Sequence, residues 1–270
     1  MSQAPDIQGL FGSAVTAGNL TAEAQVVLSG VDLGQQMQAG FGVIADEVEA
    51  SEVLLVTLWI DDSSSIRDAS NEQVVRDGVN MALNALKDSK QRDNIFVMIA
   101  TFNKQRGTGS SVIVPYTHID QVPLLDTNNY RANGGTPLYD KNIEMVAVIT
   151  LKMQEFADCG VTARGVSVLV SDGADYGSNK SPVDSAVAMK SIRATEQHIL
   201  LAMGIADGHT NFNAVFTSMG YAKDCILTPG NTPSEIRAAF MVVSQSAVRA
   251  SQGAKGFSQA AAAGVGGFTG

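Results

Sequence analysis

Four runs of near-continuous apolar, largely β-branched residues punctuate the chain: Val53 to Ile60, Ile95 to Phe102, Val166 to Val170 and Ile199 to Ile205. They lack the in–out alternation of a strand with one wet face, so they predict strands covered on both sides. A fifth run, Ser111 to Tyr116, contains Pro115, which cannot donate to a ladder and places this strand at a sheet edge. Between the runs the period changes. Val75, Val79, Ala82, Leu83 and Leu86 recur at helical spacing within residues 72–88, and Leu138 to Phe156, Pro182 to Thr195 and Pro233 to Val248 behave alike. Pro137, Pro182 and Pro233 each fall where a first helical turn begins, where the missing N–H costs nothing.

Strands that alternate with helices imply βαβ crossovers. The expected fold is α/β: a doubly wound, mostly parallel central sheet with helices on both faces. Asn103 to Ser110 reads as a Gly-containing hairpin connection, which makes the third strand antiparallel at the edge. Residues 52–252 carry this pattern. Residues 1–51 form an N-terminal extension of weak periodicity, in which the stretch from Val26 to Ile44 fits either a strand or a helix packed on the domain. Residues 253–270 are low-complexity Gly and Ala, expected as a flexible tail or, through Phe257 or Phe268, a docking peptide.

Composition narrows the function. The 270 residues are 45% hydrophobic and 17% charged, enough to bury a full core without staples. A formal charge of −9 argues against nucleic acid, whose binding rests on Lys and Arg neutralising phosphates. The first residues lack the basic region and apolar run of a signal peptide, and no apolar stretch is of membrane-spanning length, so the expectation is a cytoplasmic protein without a membrane partner. Cys159 and Cys225 have neither CxxC spacing nor a nearby His and are read as small core hydrophobes.

The candidate chemistry lies at the strand tips, because open α/β sheets bind ligands beyond the carboxyl ends of their strands. The first strand stops in DDSSS, giving Asp61-x-Ser63-x-Ser65. The fourth stops in SDG, with Asp172, and the loop RANGGTPLYD sets Thr136 just ahead of a helix start. Two Asp, two Ser and one Thr supply oxygen donors only, the preference of hard cations; Mg²⁺ takes octahedral oxygen ligands at about 2.1 Å and keeps several waters. Mn²⁺ or Ca²⁺ would suit the same donors. The alternative is that these are turn residues satisfying their own backbones and capping helices.

DxSxS, then GGTPLYD, then SDG after an apolar strand, in that order, resembles a von Willebrand factor A (vWA) domain with a metal-ion-dependent adhesion site, of the bacterial intracellular type. The resemblance spans roughly residues 52–250. It implies a Rossmann-like fold and no enzymatic activity. Ser63, Ser65 and Thr136 would offer hydroxyls to the metal, Asp61 and Asp172 would act mainly through water, and a partner protein's Asp or Glu would complete the shell. It also suggests a stress-response or tellurium-resistance setting, or work beside an AAA+ ATPase. Ser64 and Ile66 stand where the family often has Gly and Met, and Asp62 is an additional acid.

Other features carry less. The stretch from Gly173 to Ser181 fails P-loop spacing. His118, His198 and His209 are scattered, with His198 expected to be structural and His209 a solvated loop residue. Asp140 and Asp175 are the conceivable general bases of a metal-dependent hydrolase, and a self-assembling scaffold whose metal only steadies loops is the other alternative. The segment from Lys87 to Asp93 reads as an exposed turn.

Overall fold

The computed structural model describes residues 6–30, 40–102 and 111–253. Its sheet has six strands: β1 (Glu52–Ile60), β2 (Ile95–Thr101), β3 (Val112–His118), β4 (Thr162–Ser171), β5 (His198–Gly204) and β6 (Ile226–Leu227). Their spatial order is β3-β2-β1-β4-β5-β6. All neighbours are parallel except β2 and β3, so the strand bearing Pro115 is the antiparallel edge. The hairpin connection expected over 103–110 and the tail from 254 onward, with Phe257 and Phe268, lie outside the described residues.

The order in which strands are added reverses at the parallel β1–β4 pair, since β2 and β3 lie to one side of β1 and β4, β5 and β6 to the other. That is the switch point, where loops leaving two neighbouring strands diverge and open a crevice.

Alternation along β1 divides the core. Val53, Leu55 and Trp59 point to one face, Leu54, Val56, Leu58 and Ile60 to the other. Thr57 is the polar exception on the first face; its hydroxyl pairs with Tyr116 Oη on β3 at 2.6 Å, which satisfies two otherwise costly buried groups.

Helices cover both faces. On the second face lie α4 (Glu72–Lys87) and α8 (Pro233–Ala250), packed together so closely that a Cβ on Gly78 would sit 2.1 Å from the Phe240 ring. On the first lie α5 (Leu138–Asp158), α6 (Pro182–Ala194) and α7 (Phe212–Ser218). α6 opens with a capping box between Ser181 and Asp184 and Pro at its first turn. A single-turn helix, α3 (Ser64–Asp68), comes after the first strand's loop.

The N-terminal extension also belongs to the first face. α1 (Ile7–Thr16) and α2 (Ala22–Ser29), capped by Asp6 and Thr21, bury Phe11, Ala14, Leu20, Ala24 and Leu28 in the same cluster as α5. Lys152 of α5, fully buried, fastens the stretch around Phe41 and Val43. Its Nζ donates to the Val43 carbonyl, pairs with Glu155 at 2.7 Å and lies 5.2 Å from the ring centroids of both Phe41 and Phe156. A buried cation is tolerated here because donor, counter-charge and aromatic faces replace its hydration.

Cys159 is not a core residue, contrary to the expectation from residue type, and Cys225 only packs against the edge of the second core. Cys159 caps the C-terminus of α5, where the chain turns through Gly160 at φ 78°, and is exposed; Cys225 ends a 3-10 turn and is half-buried. Among the described residues no helix is long and apolar enough to cross a membrane.

Candidate metal centre

The five residues singled out from the sequence converge at the carboxyl ends of β1 and β4. Because Ile60 is in register with Val170, the next residues along, Asp61 and Ser171, are side by side, and Asp61 N–H donates to the Val170 carbonyl at 2.9 Å. Ser171 Oγ donates to Asp61 Oδ2 at 2.7 Å, while Asp61 Oδ1 accepts the Ser63 backbone N–H at 2.7 Å. Asp61 thus acts within the protein as a brace that bends the chain into the loop.

The hydroxyls point together. Ser63 Oγ and Ser65 Oγ are 2.8 Å apart, and both address Asp172 Oδ1, Ser65 at 2.7 Å and Ser63 at 3.4 Å. Ser63 is the residue preceding α3, yet its side chain makes no capping bond. That turns the plain-turn alternative aside for this residue, since a capping serine would spend its oxygen on the backbone. Thr136 is at the same place: a Cβ on Gly173, next to Asp172, would lie 4.0 Å from Thr136 Oγ1. Asp61, Ser63, Thr136 and Asp172 are all buried, whereas Ser65 is exposed, so the cluster opens to solvent on the Ser65 side.

A second set of bonds laces the loops together. Tyr130 Oη donates to the Asp61 carbonyl at 2.6 Å, Asn133 N–H to the Asp62 carbonyl at 2.6 Å, and Ser64 N–H to the Gly134 carbonyl at 3.0 Å. Thr136 therefore rides on a segment tied to the DDSSS loop at three points. Two departures from the family pattern find their places: Ser64 Oγ reaches the Gly134 carbonyl at 3.3 Å, and Ile66 is fully buried in the second core. Asp62 is buried rather than turned to solvent.

Electrostatics follow from burial. Desolvation pushes Asp61 up to about 7, against the Ser171 and Ser63 hydrogen bonds that favour its charged form, with Asp172 adding repulsion. Burial likewise raises Asp172, opposed by the Ser65 and Ser63 hydroxyls. Two acids held in a sheltered cleft, with no positive side chain among their bonding partners in the described residues, make a place where a cation could replace lost hydration. The donor set fits a hard divalent ion: oxygens only, hydroxyls already convergent, and an open side. Among the described residues no three His, Cys, Asp or Glu side chains gather into a metal cluster, so this site depends on hydroxyl donors.

Ser171 and Tyr130 are the residues that sequence reasoning missed. Ser171 stands in the SDG run, but its role needs the β1–β4 register; Tyr130 lies in a loop, and nothing in the local pattern singles it out. The alternative bases are engaged elsewhere. Asp140 accepts the backbone N–H of Asn179 and Lys180, and Asp175 accepts Ser178 Oγ and Tyr139 N–H at the start of α5. His198 is buried against Gly165, pairs with Ser167 Oγ at 2.8 Å, and is driven down to about 3 by burial; His209 is exposed.

Known structures share this architecture. Proximal thread matrix protein 1 of the mussel byssus superimposes with a TM-score of 0.50 at 18% identity, over 73% of this chain and 49% of that one. The pilus adhesin SpaC of Lactobacillus rhamnosus GG gives 0.56 at 15% identity, over 75% of this chain and 30% of that one. The fold is of the von Willebrand factor A type. A vWA protein from Catenulispora acidiphila is also similar, at 18% identity, 74% and 43% coverage and a TM-score of 0.47. At these identities the likeness is one of fold alone, and the chain spans about half or less of the length of each of these three neighbours. The mussel protein has also been solved with its metal-ion-dependent adhesion motif occupied by zinc. No protein-family model matches the sequence, and no curated protein matches it.

Proposed function

We propose that this vWA-type domain is a metal-dependent protein-binding module. Ser63, Ser65 and Thr136 would hold Mg²⁺ through their hydroxyls, with Asp61 and Asp172 bound through water and fixing those hydroxyls in place. When bound, the ion supplies a positive centre that accepts a carboxylate oxygen from a partner's Asp or Glu. The chain's own residues do the rest. Ser171 orients the Asp61 carboxylate, Asp172 gathers the two serine hydroxyls, and Tyr130 holds the Asp61 carbonyl so that the Thr136 segment stays in reach.

One observation carries this reading: two serine hydroxyls from one strand tip converge on the carboxylate of the neighbouring tip, with the cluster open on the Ser65 side. A binding role is favoured over hydrolysis because Asp140 and Asp175 are engaged by loop and helix N–H groups and Ser178.

The test is calorimetric titration of the purified protein with Mg²⁺, Mn²⁺, Ca²⁺ and Zn²⁺, beside Ser65→Ala and Asp172→Ala. Saturable binding by the parent and a loss of about tenfold or more in each variant supports the site. Equal binding by all three proteins overturns it. Capture of host proteins with Mg²⁺ and with chelator then identifies the partner.

A further inference from the structure

Next to Thr136 stands a second feature that the metal chemistry does not use. Tyr176 is 78% exposed, the most exposed of the large hydrophobic side chains among the described residues. A large ring left in water on a soluble domain is a candidate contact, provided its position is fixed.

It is fixed. Tyr176 N–H donates to the Thr136 carbonyl at 2.7 Å, forming an isolated antiparallel bridge between the two residues, and its ring lies over Gly135, where a Cβ would meet Tyr176 Cδ1 at 3.5 Å. The flanking loop is pinned on both sides, by Asp175 to Ser178 and Tyr139 N–H, and by Asp140 to the Asn179 and Lys180 N–H groups. Tyr176 is thus joined through backbone to a proposed metal ligand, and its main chain has little conformational freedom left to lose when a partner docks.

The charge around the opening selects the rest. Asp207, exposed in the loop after β5, comes two residues after Ile205, whose N–H donates to the carbonyl of Ser171, the neighbour of Asp172, at 2.8 Å; its carboxylate is held by the Thr210 hydroxyl at 2.5 Å and by the His209 and Thr210 N–H groups. A partner's first acid would be matched by the metal, whereas a second acid beside it would approach Asp207 and be repelled.

We infer that Tyr176 sets the specificity of the site, and that the occupant is a partner segment presenting a single Asp or Glu next to a bulky apolar or aromatic side chain that packs on the Tyr176 ring. This rests on the metal-dependent binding role and names its partner chemistry.

An array of capped heptapeptides with one central Asp or Glu and varied neighbours, probed with the full chain in Mg²⁺ and in EDTA, tests it. The expected result is Mg²⁺-dependent retention with Leu, Phe or Trp beside the acid favoured about tenfold over Gly, and peptides with a second acid depleted. Tyr176→Ala should erase the apolar preference while keeping the Mg²⁺ and acid requirement, Tyr176→Phe should retain it, and the calorimetric Mg²⁺ affinity of both variants should equal the parent's. A preference unchanged in Tyr176→Ala, or no preference among neighbours, overturns the inference and leaves the metal reading intact. Mg²⁺ binding without retention of any acidic peptide overturns both. Sedimentation showing a Tyr176-dependent dimer of the protein alone would replace the partner segment by a second copy of the chain.

Discussion

Asp61 is a carboxyl group without access to water, whose nearest partners are hydroxyls, an amide and another acid. Its folded pKa of about 7 lies above the ordinary 3.8, so the fold prefers the protonated form. Stability from this group is complete below pH 4 and is lost as pH rises through 7. In EDTA, urea unfolding should therefore show the parent losing on the order of a few kcal/mol between pH 5 and pH 8 relative to Asp61→Asn, which stays neutral. A cation competes with that proton, so the gain in melting temperature from Mg²⁺ should be larger at pH 8 than at pH 5; an equal gain at both would remove Asp61 from the metal's surroundings. His198 works in the opposite sense. Its folded value of about 3 lies below the usual 6.5, so its contribution is complete above pH 6.5 and drains away as pH falls towards 3. The stability difference between the parent and His198→Gln should shrink steadily from pH 7 to pH 4 in denaturant titrations.

At the scale of elements, packing decides. α4 and α8 approach closely where Gly78 faces the Phe240 ring. Gly78→Ala would gain helix propensity yet force that ring aside, and the expected net result is a loss of about 1–3 kcal/mol, read from the urea midpoint. The extension makes a similar test. Phe11 is fully buried under α5 and Val26 is 73% exposed on α2, so Phe11→Ala should cost about 3–5 kcal/mol and Val26→Ser close to nothing. An equal effect from both would mean that the extension does not dock in solution. These two helices were illegible in the sequence because each buries only one large side chain, Phe11 or Leu28, beside a small one, Ala14 or Ala24, and Gly9 and Gly12 blur the period. The strands were legible for the opposite reason. Covered on both faces, β1 and β2 contain scarcely a polar residue to confuse the pattern. Cys159 misled because burial was inferred from residue type, whereas its place after the last turn of α5 decided its exposure.

The whole molecule explains why the site could be read in part. Each candidate donor sits at a strand tip or a helix start, places that patterning marks well, so Asp61, Ser63, Ser65, Thr136 and Asp172 could be singled out; the structure joins Ser63, Ser65 and Asp172 by hydrogen bonds, with Asp61 bonded to Ser63 and Thr136 close to Gly173. What joins them, Ser171 across the β1–β4 register and Tyr130 from a loop, depends on strand order, which no single sequence window contains. Tyr130→Phe removes the hydroxyl that holds the Asp61 carbonyl; a stability loss of about 1–2 kcal/mol and a several-fold weaker Mg²⁺ affinity are expected, measured by urea unfolding and calorimetry.

The same pairing sets a timetable. β1 and β4 are neighbours in space but are separated in sequence by β2, β3 and the long helix α5. Closing so long a loop is slow, and none of it can happen before the later strand exists. A chain still emerging from the ribosome carries the DDSSS loop early and Asp172 only after the greater part of the domain has been made. Under the proposed metal-dependent binding role, half a site would have nothing to grip with, so ion capture would belong to the finished sheet and an immature copy of the protein would not compete for the partner.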